Sequence, residues 1–131
     1  RVQIYNKYKK QKFKFLPIIS KSSMVSENIE LGEGVQILNG AIINKGVKIG
    51  FNSVINTGAI IDHDVKIGNH CTVSPGSIIC GNVNIGNNVN IGPGVKIFNN
   101  LKISNNVFIQ GGITVRKDIK SNRKILNRNA I

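Results

Sequence analysis

The sequence predicts an all-β solenoid, in which one chain coils through parallel strands and turns a corner every six residues. Two columns of residues recur with this period. The second column lies two residues before the first and is aliphatic or small from Ile29 to Ile113. An α-helix repeats every 3.6 residues and a flat strand every two, so neither keeps a period of six on one face. The first column contains only aliphatic residues: Ile19, Val25, Leu31, Ile37, Ile43, Ile49, Ile55, Ile61, Ile67, Val73, Ile79, Ile85, Ile91, Ile97, Ile103, Ile109 and Val115.

The chain divides into three parts. Residues 1–16 are basic, and their apolar spacing predicts a short helix followed by an edge-like strand through Phe13 and Phe15, ended by Pro17. Residues 17–118 carry the repeat, and residues 119–131 are predicted to be a basic tail.

The corners of the coil are predicted at the polar residues between the inward positions. Glycine and asparagine are frequent there, as in Ile49-Gly50, Ile67-Gly68 and Asn87-Asn88. Both residue types adopt left-handed backbone angles at low steric cost, which predicts that they turn the chain.

With this pattern, residues 17 to about 118 resemble the hexapeptide-repeat proteins, whose fold is a single-stranded left-handed parallel β-helix. In that family three hexapeptides form one triangular coil of eighteen residues. The resemblance therefore implies that residues eighteen apart lie one above another, at roughly 4.8 Å. His63 is expected above Lys45 and beneath Gly81, and Thr72 between Val54 and Asn90.

The formal net charge of +12 belongs mostly to the two ends of the chain. Residues 1–14 contribute six positive charges and residues 116–131 a net five, so the repeat is nearly neutral. A nucleic-acid interface would combine basic residues with stacking aromatics on one face, so no nucleic-acid partner is expected. The sequence shows no membrane span and no secretory pattern. Cys71 and Cys80 are interpreted as small apolar filler in a reducing, cytoplasmic compartment.

The segment Asp62-His63-Asp64 holds the candidate catalytic histidine. His63 follows an inward isoleucine by two positions, which places it on a corner and pointing outward. A neighbouring carboxylate raises the basicity of an imidazole and fixes its tautomer. The alternative is a solvent-exposed polar corner. His70, on another corner, is interpreted as a surface residue.

The stretch from Ile55 to Asp64, with Ile67-Gly68 and Cys80-Gly81, is similar to bacterial sugar acetyltransferases that act on sialic acids or nucleotide-linked amino sugars. The resemblance implies that His63 is the general base and that Asp64 is its acidic partner. The backbone N–H of Gly81 would stabilise the oxyanion of the tetrahedral intermediate. It also implies that residues 1–16 end an α/β nucleotide-sugar-binding domain, and that the product serves surface glycan synthesis.

The same resemblance implies acetyl-CoA as co-substrate, bound between β-helices of a homotrimer, without a metal. Thr72 replaces a histidine that many relatives carry near the thioester. Gly111 and Gly112 would give backbone access to the cofactor, and Arg116 and Lys117 would meet its phosphates. A solvated turn is the alternative for these two cations. The closing Gly-Asn-Pro-Ala of the family is replaced by residues 126–130, Leu-Asn-Arg-Asn-Ala.

The β-helix fold is compatible with three other functions. The first is transfer of acetyl to serine or another small molecule on the same fold. The second is a non-catalytic solenoid that acts as a scaffold or binds a partner. The third, a zinc hydratase of the γ-carbonic anhydrase type, needs three histidine ligands, whereas this chain has two histidines on corners that do not stack.

Overall fold

The computed structural model describes residues 1–126 of the chain. Residues 127–131, with the end of the predicted tail and most of the altered closing motif, lie outside the described residues. The elements are one helix, α1 (Val2–Lys10), and eighteen two-residue strands. In chain order, β1 to β18 are Ile18–Ile19, Met24–Val25, Glu30–Leu31, Gln36–Ile37, Ile42–Ile43, Lys48–Ile49, Val54–Ile55, Ile60–Ile61, Lys66–Ile67, Thr72–Val73, Ile78–Ile79, Asn84–Ile85, Asn90–Ile91, Lys96–Ile97, Lys102–Ile103, Phe108–Ile109, Thr114–Val115 and Lys124–Ile125.

The strands form three parallel sheets, the faces of a triangular solenoid. Face 1 contains β1-β4-β7-β10-β13-β16-β18, face 2 contains β2-β5-β8-β11-β14-β17, and face 3 contains β3-β6-β9-β12-β15. Strands pair with partners eighteen residues away, as Thr72 does with Val54 and Asn90. The predicted parallel β-helix and its stacking are confirmed.

The two periodic columns form the core. Ile37, Ile61 and Ile109 have no exposed surface, and neither have Ala41 and Cys71 from the second column. Burying each large aliphatic side chain contributes roughly 1.5–3 kcal/mol. Because every coil repeats the same arrangement, this apolar contribution holds the solenoid together along its length.

The corners follow the prediction only in part. Left-handed φ angles fall three residues after the inward aliphatic, at asparagines such as Asn52 (φ 55°) and Asn88 (φ 56°). The glycines directly after isoleucine, such as Gly50 and Gly68, were predicted to serve the same purpose, but they do not have positive φ. These positions require glycine because there is no room for a side chain: a Cβ at Gly68 would lie 2.6 Å from the backbone of Gly86 in the next coil.

The solenoid extends beyond the predicted boundary at residue 118. Ile119 forms a bridge with Ile103, and β18 pairs with β16 through Ile125 and Ile109. These pairs are sixteen residues apart rather than eighteen. The last coil is therefore two residues shorter, which breaks the period of six and hides the coil from a search for that period.

The N-terminal flank packs on the solenoid. The predicted helix is confirmed as α1, whose last turn carries Lys7, Lys9 and Lys10, where cations favour the helix dipole. The predicted strand is wrong, because residues 13–17 are irregular. The alternation of Phe13 and Phe15 instead places only Phe15 against Tyr5, with ring centroids 4.9 Å apart.

Candidate functional site

The corner between faces 2 and 3 brings His63, Asp64 and Gly81 together; we call it the histidine corner, residues 62–65 and the positions stacked on them. Nδ1 of His63 lies 2.9 Å from Oδ2 of Asp64. About half of each side chain is exposed, 45% for His63 and 56% for Asp64. Since a carboxylate accepts, this contact places the imidazole proton on Nδ1 and leaves the lone pair on Nε2.

Asp64 occupies an unusual backbone conformation for its type. Its φ is 59°, at the corner position that is asparagine or glycine in most coils. Left-handed angles are uncommon for residues other than glycine, although aspartate tolerates them better than most. The turn aims the Asp64 carboxylate back at the preceding ring.

Gly81 lies directly above His63 and provides the space that the ring fills. A Cβ at position 81 would be 2.6 Å from Nε2 and 2.7 Å from Cε1 of His63. Gly81 is itself buried. The glycine is therefore required by the imidazole, a reason that the repeat alone did not reveal.

Asp62 has a different role from Asp64. Its Oδ1 accepts hydrogen bonds from Nδ2 of Asn44, at 2.8 Å, and from the backbone N–H of His63, at 2.8 Å. The Asn44 bond, and then the His63 N–H, lower the pKa of Asp62, and the Gly81 N–H contributes in the same direction. Asn44 was missed from the sequence, although its spacing of eighteen residues from Asp62 would have indicated the contact.

Arg116 and Lys117 lie on the histidine corner, three coils above Asp62 and His63, because their numbers differ by 54. At about 4.8 Å per coil this is roughly 14 Å from the histidine. Both side chains are exposed. The Arg116 guanidinium lies 4.5 Å from the ring centre of Phe98, a cation–π contact that holds it along the corner.

The other predicted cofactor residues lie elsewhere on the same chain. Thr72 is on face 1, opposite the histidine corner, and Gly111 and Gly112 are on the corner between faces 1 and 2. Gly112 has φ 75°, and a Cβ at Gly111 would be 3.0 Å from the Pro93 carbonyl oxygen. One chain therefore does not bring Thr72 and His63 together.

His70 lies on a corner, as predicted, with φ 58°, but its ring is half-buried against α1 rather than open to solvent. Its ring packs edge-on against Tyr5 and Phe51, with centroid distances of 5.6 and 4.9 Å. Nδ2 of Asn52 donates to its Nδ1 at 2.7 Å. Burial, followed by the charge of Arg1, lowers the pKa of His70. Arg1 also donates to the Cys71 carbonyl at 2.9 Å.

The two cysteines are free and differ in environment. Cys71 is core filler as predicted, and burial raises the pKa of its thiol. Cys80 was also expected to be filler but is half-exposed on the histidine corner, above Asp62.

Among residues 1–126, no three histidine, cysteine or acidic side chains cluster to hold a metal. No helix of the described part of the chain is long and apolar enough to cross a membrane.

A family model described as bacterial transferase hexapeptide (six repeats) matches residues 46–81 and 64–99. The chain contains hexapeptide repeats and resembles sugar N-acetyltransferases in structure. No curated protein matches it in sequence. The match covers the coils that carry His63, Asp64 and Gly81, so the histidine corner is part of the family repeat.

Solved structures share the whole fold of this hexapeptide-repeat chain. One is a histidine-to-asparagine variant of perosamine N-acetyltransferase from Caulobacter crescentus, in complex with CoA and GDP-perosamine. It is 30% identical in sequence with a TM-score of 0.91, and the alignment covers 93% of this chain and 58% of that one. The acetyltransferase domain of PglB from Neisseria gonorrhoeae is 26% identical with a TM-score of 0.92, over 95% and 60%.

WeeI from Acinetobacter baumannii has a TM-score of 0.92 at 23% identity, over 98% of this chain and 63% of that one, and supports the fold alone. The described chain thus spans about three fifths of the length of these structures. The left-handed β-helix predicted from the repeat is confirmed by these matches.

Proposed function

We propose that the chain transfers an acetyl group from acetyl-CoA to an amine or hydroxyl of a sugar, with His63 as general base. The observation that carries the proposal is the pairing of His63 with Asp64 on a corner that also presents two exposed cations, Arg116 and Lys117. The bound CoA and GDP-perosamine of the Caulobacter enzyme favour a nucleotide-linked amino sugar as acceptor.

The geometry of His63 suits proton abstraction. Asp64 holds the Nδ1 proton, so Nε2 is the basic atom, and the ring is half-exposed to an incoming acceptor. As the sugar amine attacks the thioester carbonyl, its proton passes to Nε2 and a tetrahedral oxyanion forms. Collapse then breaks the C–S bond, and the leaving thiolate takes the proton from the imidazolium.

Gly81 is the candidate oxyanion donor. Its N–H lies one coil above His63, eighteen residues along the chain. A backbone N–H is a rigid donor, which suits a site where charge develops only in the transition state.

The residues present fit acetyl-CoA along the histidine corner. The thioester would lie at His63 and Gly81, and the phosphates would be met by Arg116 and Lys117 near the end of the solenoid. Three coils, about 14 Å, separate the two groups, which matches an extended pantetheine arm better than a compact ligand. Both cations are exposed donors of the kind that bind phosphate.

A homotrimer would complete the site. Face 2, beside the histidine corner, presents the outward residues Met24, Ile42, Ile60 and Ile78, and Met24 is 68% exposed. An apolar line of this kind on a parallel sheet favours cover by another copy. Thr72, Gly111 and Gly112 could then reach His63 only from a neighbouring subunit, since they lie on other sides of their own chain.

The test is direct. The chain is incubated with acetyl-CoA and a panel of GDP- and UDP-linked amino sugars, with GDP-perosamine among them, and free thiol and acetylated sugar are measured together. We expect thiol release that depends on an acceptor and equals the amount of acetylated sugar. Thiol release no faster than in protein-free controls, for every acceptor, would contradict the proposal. A cytoplasmic role in surface glycan synthesis is the setting we infer for this activity.

A further inference from the structure

The backbone N–H of His63 lacks the partner that its neighbours have. The N–H groups of Asp62 and Asp64 donate to the carbonyls of Ile79 and Lys45, in the coils above and below. The N–H of His63, between them, donates instead to Oδ1 of Asp62 at 2.8 Å. One side chain thus satisfies the backbone group at the residue that carries the imidazole.

Other corners satisfy the equivalent N–H group in two ways. The N–H of Thr57 donates to Oδ1 of the preceding Asn56 at 2.8 Å, as His63 does to Asp62, whereas a third corner uses a partner one coil above. On the corner between faces 3 and 1, the N–H groups of Phe51, Asn69 and Asn87 donate to side-chain amide oxygens of asparagines one coil above, at 2.8–3.1 Å. The histidine corner has Gly81 above His63, and a glycine offers no such acceptor. Asp62 supplies from the same coil what the glycine cannot.

Asp62 is itself held from below. Its Oδ1 also accepts from Nδ2 of Asn44 at 2.8 Å, which links the histidine coil to the preceding one. Asn44 and Asp62 are both half-buried, so water competes less with these bonds than on an open surface. The lowered pKa of Asp62, caused mainly by Asn44 and then by the His63 N–H, keeps the carboxylate charged at neutral pH.

The geometry points to Asp62 as a positioning residue, braced by Asn44, that fixes the backbone of His63 while Asp64 fixes the ring. This inference rests on the proposed function, because it concerns where the base is placed. Two carboxylates adjacent in sequence to one histidine therefore have separate roles. A general base that moves by about 1 Å can lose on the order of 100-fold in rate, so a brace of this kind has a measurable effect.

Three variants separate placement from charge. Asp62→Ala removes the acceptor. Asp62→Asn keeps an oxygen at the same place and removes the charge. Asn105→Ala is the matched control, because Oδ1 of Asn105 accepts the N–H of Asn87 at 2.8 Å on the other corner. Thermal unfolding checks that all three fold.

Two readouts are taken for each variant. The first is the acetyl-transfer rate with the panel of nucleotide-linked amino sugars. The second is an NMR titration of the histidine Cε1–H signals, which is simple to assign because the chain has only His63 and His70. His70 serves as the internal reference in every spectrum.

We expect Asp62→Ala to broaden and shift the NMR signal of His63 and to leave that of His70 unchanged. In the kinetic assay, the same variant should lower kcat about 10- to 100-fold and keep the KM for acetyl-CoA within about threefold of the wild type. Asp62→Asn should stay within about threefold of the wild type. If Asp62→Ala behaves like Asn105→Ala, or Asp62→Asn is as impaired as Asp62→Ala, the inference is overturned. If the wild type transfers no acetyl group, the proposed function fails, and the His63 spectrum alone decides the role of Asp62.

Discussion

The imidazole of His63 occupies the space above its coil that a side chain at Gly81 would need. A Cβ added to Gly81 would lie only 2.6 Å from Nε2, the ring atom that the Asp64 contact leaves basic. Contacts that short are essentially absent from real structures, so ring and side chain cannot both keep their places. The glycine and the histidine are thus a matched pair one coil apart.

Gly81→Ala should therefore displace the His63 ring without unfolding the solenoid. Position 81 has no positive φ, so alanine is not strained there, and the ring is half-exposed and free to turn outward. We expect kcat to fall at least about tenfold, since the base loses its alignment. Steady-state kinetics and the Cε1–H signal of His63 measure the effect. Retention of wild-type kcat would show that the ring position does not matter.

Removal of the Asp64 carboxylate should lower the rate by freeing the ring tautomer. Asp64→Gly is the suitable change, because φ at this position is 59° and glycine adopts that angle without strain. The matched control is Asn82→Gly, one coil above, where φ is also 59°. We expect kcat/KM to fall about 10- to 100-fold for Asp64→Gly and by less than about twofold for the control. Equal losses in both variants would mean a general effect on the corner.

The period of six made the fold predictable, because each coil repeats the same inward pair, such as Val65 and Ile67. The same pattern also gave the stacking of His63 beneath Gly81. It could not show why Gly68 is glycine, since the cause is the backbone of the next coil. The end of the solenoid was not predicted correctly, because Ile125 pairs with Ile109 at a spacing of sixteen residues instead of the eighteen of a regular coil.

Side-chain direction at the corners was the least predictable feature. Asp62 and Asp64 are equivalent in sequence, one residue on either side of His63, yet only Asp64 contacts the ring. The role of His70 depends on α1, an element outside the repeat, so no arithmetic on the coils could place Tyr5 against it. Contacts between corner residues and the flank needed the three-dimensional structure.

Gly68 and Gly58 should differ in their tolerance of alanine. At Gly68 a Cβ would meet backbone atoms of Gly86 at 2.6 Å, and backbone cannot move aside cheaply. Overpacking of this kind costs about 1–3 kcal/mol, and we expect the upper part of that range for Gly68→Ala. At Gly58 no atom lies within 4 Å, so alanine would meet no neighbour there. Its cost is the left-handed φ of 64°, which destabilises alanine by about 1–2 kcal/mol. Part of this cost is offset because alanine makes the unfolded chain less flexible. Urea denaturation of both variants compares them, and equal losses would argue against close coil contacts.

The docking of α1 should weaken as the pH falls. Burial against Tyr5 and Phe51 lowers the pKa of folded His70, so below its ordinary value of about 6.5 the unfolded chain takes up more protons than the folded one. This contribution to stability is present above that pH and is lost as the pH falls through the lower folded value. His70→Asn keeps a residue that tolerates φ near 58° and cannot titrate.

We therefore expect the unfolding temperature of the wild type to fall more between pH 7.5 and pH 5 than that of His70→Asn. Thermal unfolding at several pH values, followed by circular dichroism, measures the difference. A parallel pH dependence in the two proteins would show that His70 is not the titrating group.

The most direct test of the central claim is the acetyl-transfer rate of His63→Ala beside that of His70→Asn, under the same conditions. These variants change the two histidines of the chain one at a time. If His63 is the general base, His63→Ala should lose about 10²- to 10⁴-fold in kcat with little change in KM for acetyl-CoA, while His70→Asn stays near the wild type. A His63→Ala variant that retains the wild-type kcat would contradict the account.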